Sequence, residues 1–213
     1  MRGLDHDGGV DDALMLLERW SRLLPQRPDL GADLVARYAD PARHYHDVRH
    51  LSDVLDRVAL LTADSDEPRA VLLAAWYHDA VYDVRANDNE ERSAQLAEHA
   101  LPAAGEDADV VLEVARLVRL TASHQVAPGD RNGAVLCDAD LAVLAGDEQS
   151  YARYTSAVRA EYAHVETERF RQGRAAVLER LLALPILFST SYGRAQWEAP
   201  ARSNLTAELA GLR

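Results

Sequence analysis

Residues 70–79 read AVLLAAWYHD. The first eight are apolar on every side of a helical wheel, the pattern of a helix at the centre of a bundle. The run ends in His78 and Asp79, and the apolar pair Ala80 and Val81 follows. An ionised carboxylate beside an imidazole, at the end of the most apolar helix in the chain, is costly unless something compensates it. An arginine partner, a helix-capping role or a divalent cation would each serve, and the cation favours a carboxylate and a neutral imidazole together.

Outward from this segment the helical period persists. Val48, Leu51, Leu55, Val58 and Leu61 recur at steps of three and four, as do Val111, Val114, Ala115 and Val118. Leu14, Leu17, Leu23 and Leu24 draw another stripe, and Val177, Leu178, Leu181 and Leu182 a further one. No run of alternating β-branched residues occurs, and Asn132-Gly133 lies between a polar loop and a helix rather than between strands. Breaks at Pro25, Pro28, Pro41, residues 63–68, 87–89, 127–133 and 189–200 separate roughly eight to ten helices, predicting one all-α helical bundle over residues 11–213. The first ten residues are expected to be unstructured, so the dipeptide His6-Asp7 within them is not expected to bind metal.

Composition narrows the chemistry. The chain has 213 residues with 23 basic and 35 acidic ones, a net charge of −12. That argues against a nucleic-acid polymer or an anionic membrane as partner. Every basic residue is arginine, so lysine Schiff bases, a lysine general base and the P-loop lysine are excluded. A single cysteine, Cys137, excludes an intramolecular disulfide and a cysteine-based zinc finger. No signal peptide or membrane segment is legible, and the default expectation is a cytoplasmic protein.

More ligand-type residues follow the same logic. His46 and His50 are one turn apart on a helix beginning near Asp47. Leu51 and Val54 flank His50 and turn it inward. In residues 136–141, LCDADL, the apolar neighbours of Asp140 turn it toward the core, whereas Asp138 is expected to be the partly exposed one.

Together these residues spell a His, a His-Asp pair about thirty residues later and an Asp about sixty beyond that. This order resembles the HD-domain superfamily of metal-dependent phosphohydrolases. Residues 43–51, RHYHDVRHL, look like the Tyr-His-Asn-x-x-His signature of its cyclic-nucleotide phosphodiesterase branch. The succession RHYH, AAWYHDAVYD, NEERSA, DADLAVL, EYAHV and ARSNL is similar to a bacterial group of small predicted HD phosphohydrolases, over about residues 30–209. Tyr82 stands where the phosphodiesterase branch has a further histidine, and Asp47 where it has asparagine, so cyclic-nucleotide hydrolysis is not the expected activity.

The resemblance implies one or two divalent ions (Mn, Mg, Co, Fe or Zn) on His50, His78, Asp79 and Asp140. Asp79 would bridge if there are two. A bound divalent ion acidifies water, so that hydroxide is available at neutral pH to attack phosphorus. His46 would then protonate the leaving alkoxide as general acid. Asp83, Asn89 and Glu90 are expected to orient ligands or a second metal's waters, with Glu91 an equally good solvent-facing residue. Thr121 and His124 are expected near the phosphate or as an extra ligand. Arg43 is the preferred phosphate partner, ahead of Arg131 and of Arg49, which faces solvent. The expected substrate is a small phosphorylated metabolite, a nucleoside monophosphate foremost. Aromatics near the motifs, Tyr45 and Tyr82 among them, suit a stacked base. A homodimer is compatible with this reading. The alternatives are an HD-type di-iron oxygenase and a non-catalytic, metal-stabilised nucleotide-binding or sensor domain.

Overall fold

The computed structural model describes residues 7–213, with side chains from residue 11 onward. Among the described residues the fold is all-α: eleven helices and no strand. They are α1 (Asp7–Leu23), α2 (Pro28–Tyr38), α3 (Val48–Leu61), α4 (Pro68–Tyr77), α5 (Asn89–Ala103), α6 (Ala108–Leu120), α7 (Arg131–Leu141), α8 (Glu148–Glu161), α9 (Thr167–Ala183), α10 (Ser191–Gln196) and α11 (Glu198–Leu212). Of the expected unstructured N-terminus, residues 1–6, including His6, lie outside the described residues, and α1 already begins at Asp7.

Helix starts follow local chemistry. Pro28 and Pro68 open α2 and α4, where the absent N–H costs nothing. Asp47 caps α3 by accepting the Arg49 and His50 N–H groups, and Asp130 caps α7 through Gly133 N–H. The segment that opened the reading is α4. Its residues Ala70, Val71, Leu73, Ala74, Ala75, Trp76 and Tyr77 are all buried, as expected of a central helix.

The core forms two clusters. The larger joins α1 to α7, the smaller packs α8 to α11 on the end of α7, and Trp197 touches both. In the larger, Trp20 meets Trp76 edge-on with ring centroids 5.1 Å apart, and its indole N–H donates to the Arg27 carbonyl. Gly31 makes this close approach of α1 and α2 feasible, since a Cβ there would lie 2.2 Å from Trp20 Cδ1. No described helix is long and apolar enough to cross a membrane.

Candidate metal centre

Three helices bring the ligand-type residues together. His50 stands in the first turn of α3, His78 and Asp79 follow the last residue of α4, and Asp140 is the penultimate residue of α7. The C-terminal ends of α4 and α7 thus point at one place, and their dipoles favour a cation there.

His50 Nε2 and His78 Nε2 stand 3.1 Å apart. Asp79 Oδ2 lies 3.4 Å from the first and 3.1 Å from the second. Asp140 Oδ1 lies 3.3 Å and 3.8 Å from the same two nitrogens. The His78 Nδ1–H donates to the Ala75 carbonyl at 2.8 Å, which leaves Nε2 as the lone-pair nitrogen. Both histidine side chains are buried, 2% and 1% exposed. Ligands at about 2.0–2.2 Å from one ion stand about 3–3.5 Å from each other, close to the spacings found. A single proton on His50 Nε2 could satisfy only one of the three acceptors around it, whereas a cation satisfies all of them. The residues therefore form a cluster able to hold a metal ion. The donor atoms of His50, His78 and Asp140 all lie within 4.8 Å of one another, and Asp79 flanks both imidazoles from one side.

Electrostatics agree with that geometry. Burial pulls the His50 imidazole down, but hydrogen bonds to Asp140 and Asp79 outweigh it and push its pKa up to about 10. Burial raises both carboxylates, yet the neighbouring imidazoles win. Asp79, beside His78 and His46, and Asp140, beside His124 and His50, are held well below the usual carboxylate range.

The other predicted residues divide. His46 sits beside the cluster, its ring centroid 5.6 Å from that of His50 and stacked on Tyr82 at 4.3 Å. Its Nδ1–H donates at 2.9 Å to Glu161 Oε2, whose side chain is 1% exposed. Burial raises the Glu161 carboxyl, and the His46 contact reverses that and holds it below its ordinary value. Sequence reading missed Glu161: it lies inside EYAHV, but a glutamate in the last turn of a helix carries no local signal of a partner 115 residues away. His124 reaches the site through a carboxylate, its Nε2–H donating to Asp140 Oδ2 at 2.8 Å. It does so with φ of 53°, an unusual conformation for a residue other than glycine.

Several expectations need correction. Arg43 is not free for phosphate. Its guanidinium is buried, donates to the His46, Asp79 and Ala80 carbonyls at 3.1, 2.7 and 3.2 Å, and lies over the Tyr38 ring. It fixes the turn that carries Asp79. Asn89 holds the same loop, giving a hydrogen bond to the Asp83 carbonyl and accepting one from Asp83 N–H. Asp83 is exposed, and its carboxylate accepts from Arg85 N–H rather than orienting a ligand. Glu90 is half-buried in the first turn of α5, and Glu91 pairs with Arg119. Thr121 is occupied in donating to the Val118 carbonyl, and Arg131 is tied to the Ala63 and Asp64 carbonyls. Asp138 is buried at 1% exposure, not the partly exposed carboxylate. It accepts from Ser189 N–H, Thr190 N–H and the Thr190 hydroxyl.

No family model, no curated protein and no solved structure matches this chain.

Proposed function

We propose that this chain is a metal-dependent phosphohydrolase of the HD type, acting on a small phosphate ester such as a nucleotide or nucleoside monophosphate. The observation that carries the reading is one juxtaposition. A set of imidazole and carboxylate donors suited to a cation stands one ring away from a third imidazole, His46, backed by a buried carboxylate. A divalent ion at His50, His78, Asp79 and Asp140 would supply charge to the phosphoryl oxygens and acidify a water. The imidazole donors favour Mn, Fe, Co or Zn over Mg. Glu161 fixes the His46 ring by its Nδ1 edge, leaving the Nε2 edge to protonate the departing alkoxide. His124 holds Asp140 in the orientation the cation needs.

The test separates two histidines four residues apart. His50→Ala should lose bound metal by elemental analysis. His46→Ala should keep the metal and slow phosphate release from a nucleoside monophosphate by roughly 10²–10⁴-fold. The His46→Ala defect should shrink on p-nitrophenyl phosphate, whose leaving group needs little protonation, provided that P–O cleavage limits the rate. Undiminished metal in His50→Ala would sink the reading. Oxygen uptake by iron-loaded protein without phosphate release would point instead to the di-iron oxygenase, for which His124 beside Asp140 is the supporting observation.

A further inference from the structure

A cleft of about 860 Å³ is lined by residues of α3 and α8, with His50 and Tyr45 among its lining. It therefore shares one residue, His50, with the candidate metal centre. Arg57 lines it seven residues along α3 from His50, two helical turns or about 10 Å away. This arginine is poorly compensated. Its Nη2 reaches only to 3.5 Å of Asp53 Oδ2, and its Nη1 is buried with no hydrogen-bond partner. A buried cationic N–H without an acceptor is uncommon, because it forfeits its solvation for nothing. On the facing helix Arg153 also lines the cleft, its Nη2 donating to the Ser150 hydroxyl. Of the acids in the lining, Asp47 serves the α3 cap and Arg49, Asp53 is the long contact of Arg57, and Asp12 stands on α1.

We infer that this cleft receives a second oxyanion of the substrate, carboxylate or phosphate, held by Arg57 and Arg153 while the scissile phosphate lies at the metal centre. The substrate is then an elongated phosphate ester with anionic groups at both ends, which narrows the proposed class away from a simple nucleoside monophosphate. The inference rests on the phosphohydrolase reading for the position of the scissile group. In the structure Arg57 Nη1 faces protein, so binding turns the guanidinium plane, a rotation that one long contact to Asp53 does not prevent.

A hexose 6-phosphate and a hexose 1,6-bisphosphate form the test pair, since they differ by one distal phosphate. The expected result is a higher kcat/KM for the bisphosphate. Arg57→Gln and Arg153→Gln should each shrink that ratio by about tenfold or more, the usual scale of a lost charge-assisted hydrogen bond. Arg57→Lys, which keeps the charge, should retain most of the preference. Thermal stabilisation by the bisphosphate, measured on the same proteins, reads the cleft independently of hydrolysis. Stabilisation that the Gln variants abolish, with no phosphate released, would sustain the subsite and refute the phosphohydrolase reading. Equal ratios and equal stabilisation in wild type and variants would overturn the inference.

Discussion

At the scale of single residues, His46, in the bend before the Asp47 cap rather than on α3 as expected, and His50, in the first turn of α3, lie four residues apart in different surroundings. His50 points its Nε2 at two carboxylates and another imidazole, whereas His46 points its Nδ1–H at one buried carboxylate. Glu161→Gln keeps an acceptor near His46 and removes the charge. It should lower kcat by roughly 10–100-fold with metal content unchanged, the usual scale for groups that orient a reacting residue. Turnover that stays at the wild-type level would reduce Glu161 to a packing role. A second residue-scale prediction concerns stability. In metal-free protein the His50 pKa is raised from 6.5 to about 10. A raised folded-state pKa stabilises fully below the unfolded value and ceases to do so as pH rises through the folded one. Chelator-treated protein should therefore lose thermal stability between pH 6.5 and about 10. Added metal should flatten that slope, because ligation takes the neutral imidazole. A metal-free Tm that stays level or rises over this window would contradict the arrangement. The histidines themselves were legible from spacing. Their partners were not: nothing local distinguishes Glu161 from any other helix-end glutamate.

At the scale of elements, the segment after α4 matters most. Residues 78–89 carry two candidate ligands and contain no long helix of their own, so other elements must hold them. Arg43 binds the Asp79 and Ala80 carbonyls from one side. From the other, the Ser93 hydroxyl accepts from Val81 N–H and donates to the Val81 carbonyl, and Asn89 makes the paired bonds to Asp83. Asn89, read in sequence as orienting ligands directly, instead joins Ser93 in holding the loop that bears them. Asn89→Ala should cost about 1–3 kcal/mol in urea denaturation, since it removes two part-buried hydrogen bonds to the Asp83 backbone, each worth about 0.5–1.5 kcal/mol. Metal affinity should weaken alongside stability. Loss of stability with unaltered affinity would show the clamp to be independent of the site.

At the scale of the whole molecule, the two hydrophobic clusters meet at α7, and Asp138 is the polar tie between them. Its carboxylate accepts three hydrogen bonds from residues 189–190, and a Cβ on Gly193 would come within 2.5 Å of Asp138 Oδ2. Asp138→Ala leaves three donors without an acceptor and should destabilise by about 3–5 kcal/mol, with α8–α11 melting before the rest. Less than about 1 kcal/mol, measured by denaturant unfolding, would mean that water replaces the carboxylate. Asp138 and Asp140 also mark the limit of sequence reading. Both lie in an apolar stretch of one helix. The apolar neighbours of Asp140 turn it inward, and from sequence alone Asp138 is expected, by contrast, to be the partly exposed one. By itself the sequence determined the all-α class, the places where helices break, the absence of lysine chemistry and the costly His-Asp pair after a wholly apolar helix. These follow from periodicity and composition, which are local properties of the chain. Tertiary structure alone decided that Glu161 backs His46, that His124 holds Asp140 and that Arg43 serves carbonyls rather than phosphate. A buried polar group is stabilised by whichever partner packing brings to it, and that partner can lie anywhere along the chain.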